Sequence, residues 1–167
     1  MNKRGEHIAL FVQRYKLLRE IGQLQVEAEA DESAYLARCC AILLRDPECC
    51  LAWVGRQEKD RTITPLHIAV KDPAAAQQCQ LLVHQLALEP EAINPAARAQ
   101  ATERHIVCND LADEANPVTL RRIAAASGGR SCISWPLSHD QQKYGVLTVQ
   151  STRTAGFADP AGLAFIA

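Results

Sequence analysis

Gly128-Gly129-Arg130-Ser131-Cys132-Ile133-Ser134-Trp135-Pro136-Leu137-Ser138-His139-Asp140-Gln141-Gln142-Lys143-Tyr144-Gly145-Val146-Leu147-Thr148-Val149-Gln150-Ser151 is followed by a short loop, by Phe157-Ala158-Asp159-Pro160, and by an apolar run to Ala167. Two apolar strands, Arg130 to Leu137 and Lys143 to Ser151, flank a polar turn at Ser138 to Gln142. Pro136 closes one strand, Gly145 opens the next, and Asp159-Pro160 is a helix-start signal.

Outward from this hairpin, the order of elements is legible. Asn116-Pro117 starts a helix through about Ala126, which Gly128-Gly129 ends. His105 to Asp110 is a short strand ending in polar residues. Asn94-Pro95 opens a short helix to about Thr102, and Asp72-Pro73 opens another to about Leu86, with Ala76, Cys79, Leu82 and Val83 inward. Cys49 to Arg56 is apolar on both alternating faces, which predicts a central strand covered on both sides. Gln57 to Arg61 is a charged turn, and Thr62 to Val70 returns as a hairpin partner. Pro65 within it demands an edge position or a bulge.

Asp31 is placed to cap a helix through Leu44, with Ala34, Leu36, Cys39, Cys40 and Leu43 inward. Asp46-Pro47 ends it. Before it, residues 7–30 have the step pattern of a helix. Ile8, Phe11, Tyr15 and Leu18 form one stripe, and Leu17, Ile21, Leu24 and Ala28 a second. Arg14, Arg19, Gln23 and Glu27 fall on the opposite face. The near-heptad spacing favours a partner helix over at least part of this length. The expected division is a signalling and dimerisation helix at 1–30 and a domain at 31–167. Its fold class is α+β, a largely antiparallel sheet with helices on both faces.

Composition narrows the function classes. The chain has 167 residues and a formal net charge of -1, without the basic footprint of a nucleic-acid-binding protein. No apolar run approaches the roughly 20 residues of a membrane helix, and the basic start lacks the apolar core of a signal peptide. Seven cysteines, odd in number and including the neighbours Cys39-Cys40 and Cys49-Cys50, do not make a secreted disulfide framework. A cytoplasmic setting with buried, reduced thiols is expected.

Specific residues carry a family resemblance. Leu51-Ala52-Trp53-Val54-Gly55, the segment Arg104 to Asp110 ending Val-Cys-Asn-Asp, Ser131 to Leu137, Tyr144 to Ser151, and Phe157 with the apolar tail occur in an order and spacing that resemble a GAF domain. The type is that of bacterial cyclic-di-GMP diguanylate cyclases and phosphodiesterases and of sensor histidine kinases. The resemblance covers about Leu17 to the end and implies a GAF/PAS-like fold. It implies that the first, second and last helices share one side of the sheet and often form a parallel dimer bundle. It places a small-molecule pocket on the other side, under the middle helices. The closing helix of such domains runs on into an effector, so the chain reads as truncated within that helix.

The resemblance implies a pocket lined by Trp53, His67, Cys108, Asn109, Asp110, Arg121, Ser131, Ser134 and Tyr144. Asp110 at a strand end and Arg121 on the next helix would grip a polar ligand. The competing reading is that Asn109 and Asp110 only organise a loop and that Trp53 is core. The cofactor is unknown. The residue set of cyclic-nucleotide GAF domains is incomplete, since Ala161 stands where an acid is expected. No histidine follows a cysteine, which argues against covalent bilin. His67, His84 and His105 are candidates for haem only as lone histidines. Strong metal spacing is absent, and His105 and Cys108 on one strand point to opposite faces.

No catalytic residue is assigned. One GAF-fold family reduces free methionine sulfoxide with cysteines in the pocket-lid region, but Leu111 to Arg130 contains none. Cys108 and Cys132 fall in strands, where burial makes a thiol inert unless its pKa is lowered. The expectation is a non-enzymatic cytoplasmic sensor that binds an unidentified small molecule. It would homodimerise through Phe11, Tyr15, Leu18, Ile21 and Leu24 and signal to a missing effector, without nucleic-acid or membrane contact. A degenerate GAF dimerisation module, and a cysteine-based redox sensor or methionine sulfoxide reductase-like enzyme, are the alternatives.

Overall fold

The computed structural model describes residues 9, 12–17, 19–21, 31–139 and 142–158. Ile8, Phe11, Leu18, Leu24 and Ala28 of the first predicted helix lie outside them, as does the predicted closing helix from Asp159.

β1 (Cys49–Gln57) and β2 (Ile63–Val70) form the first hairpin. β3 (Ile106–Cys108) is shorter than the expected 105–110 strand, and β4 (Ser131–His139) and β5 (Gln142–Ser151) form the second hairpin. They make one antiparallel sheet in the order β2-β1-β5-β4-β3. β1 lies inside the sheet and is buried on both faces from Cys49 to Gly55, as its two apolar faces require. β2 is an edge strand. Val54 pairs with His67 and Gly55 with Pro65, so Leu66 is the extra residue of a bulge. The proline therefore meets both of its requirements.

Helices cover both faces. α1 is helical at 12–17 and 19–21, and α2 (Glu32–Leu43) packs on β1 and β2. Leu36, Cys40 and Leu43 of α2 meet Ala52, Val54, Ile133 and Val149 of the sheet. On the opposite face α3 (Ala76–Ala87), α4 (Pro95–Thr102) and α5 (Val118–Ser127) bury Leu82, Leu86, Ala96 and Leu120 against Leu51, Trp53, Cys132 and Val146. Each fully buried side chain of Leu or Val size contributes about 1.5–3 kcal/mol.

Local chemistry sets the helix ends. The Asp31 carboxylate accepts from Ser33 and Ala34 amides at 3.0 and 3.2 Å. Asn94 caps α4 through Ala96 and Ala97 and donates its side-chain amide to Leu86 O at 2.7 Å, tying α4 to the end of α3. Asp72-Pro73 starts a 3-10 turn, Pro73–Ala75, before α3 begins. Gly128 closes α5 at φ 78, a left-handed position that glycine adopts without strain.

Three expectations on α1, α2 and the second hairpin are corrected. Arg14, read onto the outer face of α1, is 1% exposed. Its guanidinium bonds Asp46 and Glu48, both at 2.9 Å, because α1 docks beside the turn before β1. Ala34 is exposed and Ile42 is buried in its place, packed with Leu17 of α1. The second hairpin is longer than the turn at 138–142 implied, with strands reaching His139 and Gln142.

Candidate functional site

Alternation along β4 and β5 places Cys132, Ser134, Val146, Thr148 and Gln150 on the side facing α3, α4 and α5. Three of these are polar, beside the apolar Leu51, Trp53, Leu82, Leu86 and Leu120 of the same layer. Ser134 and Thr148 are direct cross-strand partners and share a hydroxyl hydrogen bond of 2.9 Å. Gln150 accepts from the Ser127 hydroxyl of α5 at 2.9 Å. Above this polar floor lie Leu86, Pro95, Ala96 and Leu120, with Trp53 at the side. The space between floor and ceiling is about 10 Å³, room for at most one water.

Gln100 stands one helical turn after Ala96, on the same side of α4. It is buried, and neither its side-chain oxygen nor its nitrogen has a hydrogen-bond partner. Leaving such a group unsatisfied costs roughly 1–3 kcal/mol. The other buried side-chain atoms without partners among the described residues are Glu89 Oε2, Arg98 Nε and Arg121 Nε. All of them belong to α4, α5 or the segment after α3.

A thiol pair lies at the β3 side of the same layer. Cys108 and Cys132 are directly opposite each other on β3 and β4. Cys132 is fully buried, whereas Cys108 is half-buried because β3 is an edge strand. The Cys132 thiol hydrogen-bonds Cys108 sulfur and draws its pKa down to about 7, opposed by burial and aided by the Arg98 guanidinium. The same hydrogen bond, burial and the neighbouring charge push Cys132 well above the ordinary thiol value. Burial raises Cys39, Cys49, Cys50 and Cys79, and raises Cys40 to about 12. Strand placement of Cys108 thus stands, but the burial expected to silence it is incomplete.

The nine predicted pocket residues do not converge on one point. Trp53 and Ser134 line the small cavity, and Cys108 neighbours it through Cys132. His67 sits in a separate cleft of about 240 Å³ with Pro65, Gln80 and His84. Asn109 and Asp110 are exposed; Asn109 O accepts from Ala155, and the Asp110 carboxylate accepts from Ala112. These are loop-organising bonds. Arg121 is half-buried on α5 and is not among the cavity's lining residues. Ser131 faces the other side, donating to Arg153 O and accepting from Gly156 N. Tyr144 is the extra residue of a bulge between Leu137 and Ser138. The bulge turns it to Glu32 of α2, to which its hydroxyl donates.

Sequence reasoning missed Thr148, Gln150, Gln100 and Arg98. The alternation Val146-Thr148-Gln150 was the available signal, because two polar residues recur on the inward side of a strand. His105 and Cys108 do point apart. His105 stacks on Trp135 with ring centres 5.0 Å apart, at the rim of an open concavity of about 670 Å³. Among the described residues no group of three His, Cys, Asp or Glu is placed to hold a metal ion. No described helix is long and apolar enough to cross a membrane.

A family model described as GAF domain matches residues 29–167. Solved structures agree with the fold. The chain is similar to free methionine-R-sulfoxide reductase from Neisseria meningitidis in complex with its substrate, with TM-score 0.61 and 19% identity over 99% of this chain and 84% of that one. It is similar to the fRMsr of Staphylococcus aureus, also with substrate, at TM-score 0.60 and 18% identity over 95% and 87%. It is similar to a domain assigned to a two-component sensor histidine kinase protein from Sinorhizobium meliloti, at TM-score 0.58 and 12% identity over 82% and 83%. No curated protein sequence matches it.

Proposed function

The chain belongs to the GAF family, and from that premise we propose that it is a cytoplasmic sensor domain that binds a small polar molecule between the sheet and α4. One observation carries this reading. Buried Ser134, Thr148 and Gln150 form a polar floor, and the Gln100 amide, one turn beyond the cavity ceiling, has no partner in the layer. A ligand with both donor and acceptor groups would satisfy the Gln100 amide, whose unpaired burial is a free-energy cost. At about 10 Å³ the cavity is too small for such a molecule, so binding requires α4 and the sheet to move apart. A ligand that favours the lifted packing shifts the population toward it.

Transmission runs through α1. Leu17 and Ile21 pack against α2, whereas Val12 and Tyr15 are exposed apolar side chains on its outer side. We assign this exposed side, at Val12 and Tyr15, to a homodimer that passes the change to an effector domain; Ile21, expected at that interface, packs beside α2 instead. Cyclic-di-GMP turnover and histidine kinase activity are the effector classes this reading favours.

Native mass spectrometry of freshly purified protein, beside a denatured sample, tests both halves. Extra mass retained only in the native state supports a bound ligand. A bare dimer, the outcome favoured if the 10 Å³ cavity never opens, means a GAF module that dimerises without a ligand. A bare monomer overturns both assignments. Tyr15→Glu is expected to dissociate the dimer in sedimentation without unfolding the domain, since Tyr15 is 61% exposed.

A further inference from the structure

We infer that Cys108 and Cys132 form a hydroperoxide-reactive dithiol, with Cys108 as the attacking sulfur and Cys132 as the resolving sulfur. This goes beyond the ligand-sensing role and does not depend on it. The register sets the two residues opposite each other on adjacent antiparallel strands, with both side chains toward the helical layer. Opposed Cα atoms in such a pair are about 4.5–5.5 Å apart, inside the roughly 4.4–6.8 Å a disulfide spans. Backbone rearrangement is therefore not needed to join them.

The surroundings divide the roles. Cys108 lies on an edge strand and is only half-buried, so an oxidant reaches it; Cys132 is enclosed and does not meet solvent. The hydrogen bond from Cys132 lowers the Cys108 pKa to about 7, which gives it a substantial thiolate fraction at neutral pH, while Cys132 keeps its proton. Arg98 of α4 acts on Cys108 electrostatically, and its buried Nε has no hydrogen-bond partner. Among the other thiols Cys79 acts electrostatically on Cys50, but burial raises the pKa of both. Cys39 and Cys40 project about 100° apart on a helix, and Cys49 and Cys50, adjacent on a strand, project to opposite faces.

The chemistry balances with a hydroperoxide, ROOH, as oxidant. The Cys108 thiolate attacks the terminal peroxide oxygen. A sulfur–oxygen bond forms, the oxygen–oxygen bond breaks, and the alkoxide leaves and is protonated to ROH. Cys108 is then a sulfenic acid. Cys132 sulfur attacks that sulfur, the sulfur–sulfur bond forms, and hydroxide leaves with the Cys132 proton as water. Two electrons pass from the two thiols to the peroxide. The product fastens β3 to β4.

The test uses the whole chain, fully reduced, with equimolar hydrogen peroxide at neutral pH, followed by alkylation and peptide mapping. The expected product is a Cys108–Cys132 cross-linked peptide. Its formation is expected to outpace oxidation of Cys39, Cys40, Cys49, Cys50 and Cys79 by about ten-fold, the net of thiolate fraction and lower nucleophilicity. Cys132→Ser is expected to stop at the Cys108 sulfenic acid, captured by a cyclic 1,3-diketone. Should the buried serine unfold the domain, iodoacetamide labelling of the reduced wild type decides instead, with Cys108 labelled first. Oxidation starting at another cysteine, Cys108 oxidation without the cross-link, or iodoacetamide labelling led by another thiol overturns the inference.

Discussion

The two faces of the sheet handle buried polarity in opposite ways. On the α1–α2 side, Arg14 and Asp46 are almost fully buried and joined to each other, with Glu48 as the second partner of the guanidinium. On the α3–α5 side, Gln100, Arg98, Arg121 and Glu89 each hold a buried atom without a partner. A buried charge is tolerable when paired and hydrogen-bonded, so the first face is a finished structural joint. Unsatisfied polar atoms are a free-energy liability, and among the described residues they cluster on the α3–α5 side. The difference separates a face whose buried charges are paired within the chain from one that leaves buried polar atoms unpaired within it.

The sharpest way to break this comparison is at the ion pair. Arg14→Ala leaves the buried Asp46 carboxylate without its charge partner, holding only the Glu48 amide among the described residues, and is expected to cost about 3–5 kcal/mol, read as a lowered denaturant midpoint with unchanged m-value. A loss below about 1 kcal/mol, the range of exposed pairs, would mean that α1 is not docked as a structural element.

Thr148→Val comes next. It keeps the shape of the floor and removes the partner of the buried Ser134 hydroxyl, for an expected loss of about 1–3 kcal/mol. Gln100→Leu has the opposite sign. It removes an amide that has no partner and adds apolar contact, so the ligand-free domain is expected to gain up to about 1 kcal/mol. Any mass retained in native spectrometry is expected to fall with it. If Gln100→Leu destabilises the ligand-free domain as much as Thr148→Val, the amide is satisfied in solution and the contrast between the faces fails.

How far the sequence reached follows the same division. The two hairpins, the helix caps and the two-sided burial of β1 were legible, because period-two patterning, Asp31, Asn94 and Gly128 each act locally, whereas the order of strands in the sheet is a tertiary fact. The site was less legible. Ser131 and Ser134 look alike in sequence, yet strand parity sends one to a loop latch and the other to the cavity floor. A one-residue bulge sends Tyr144 away from the pocket altogether. Arg14 was misassigned because helical periodicity places a side chain on a face but does not say that Asp46 waits there. Pairing across 32 positions is a tertiary fact.

Tyr144 offers the smallest and most local test, on the finished face. Partial burial, then the hydrogen bond to Glu32 and the charge of Glu32, raise its phenol pKa to about 12. A folded-state pKa above the unfolded value of about 10 contributes stability that is fully present below pH 10. That contribution is lost as the pH rises through about 12. The difference absorbance titration of wild type minus Tyr144→Phe is therefore expected to show a phenol ionising near 12 rather than 10. Glu32→Gln removes the charge but not the burial, so it is expected to bring the titration only part of the way back. A full return to the ordinary phenol value would make Glu32, not the bulge that buries the ring, the cause. A Tyr144 titrating near 10 in the wild type would mean that the bulge does not hold the ring against α2, and the residue would return to the candidates for the opposite face.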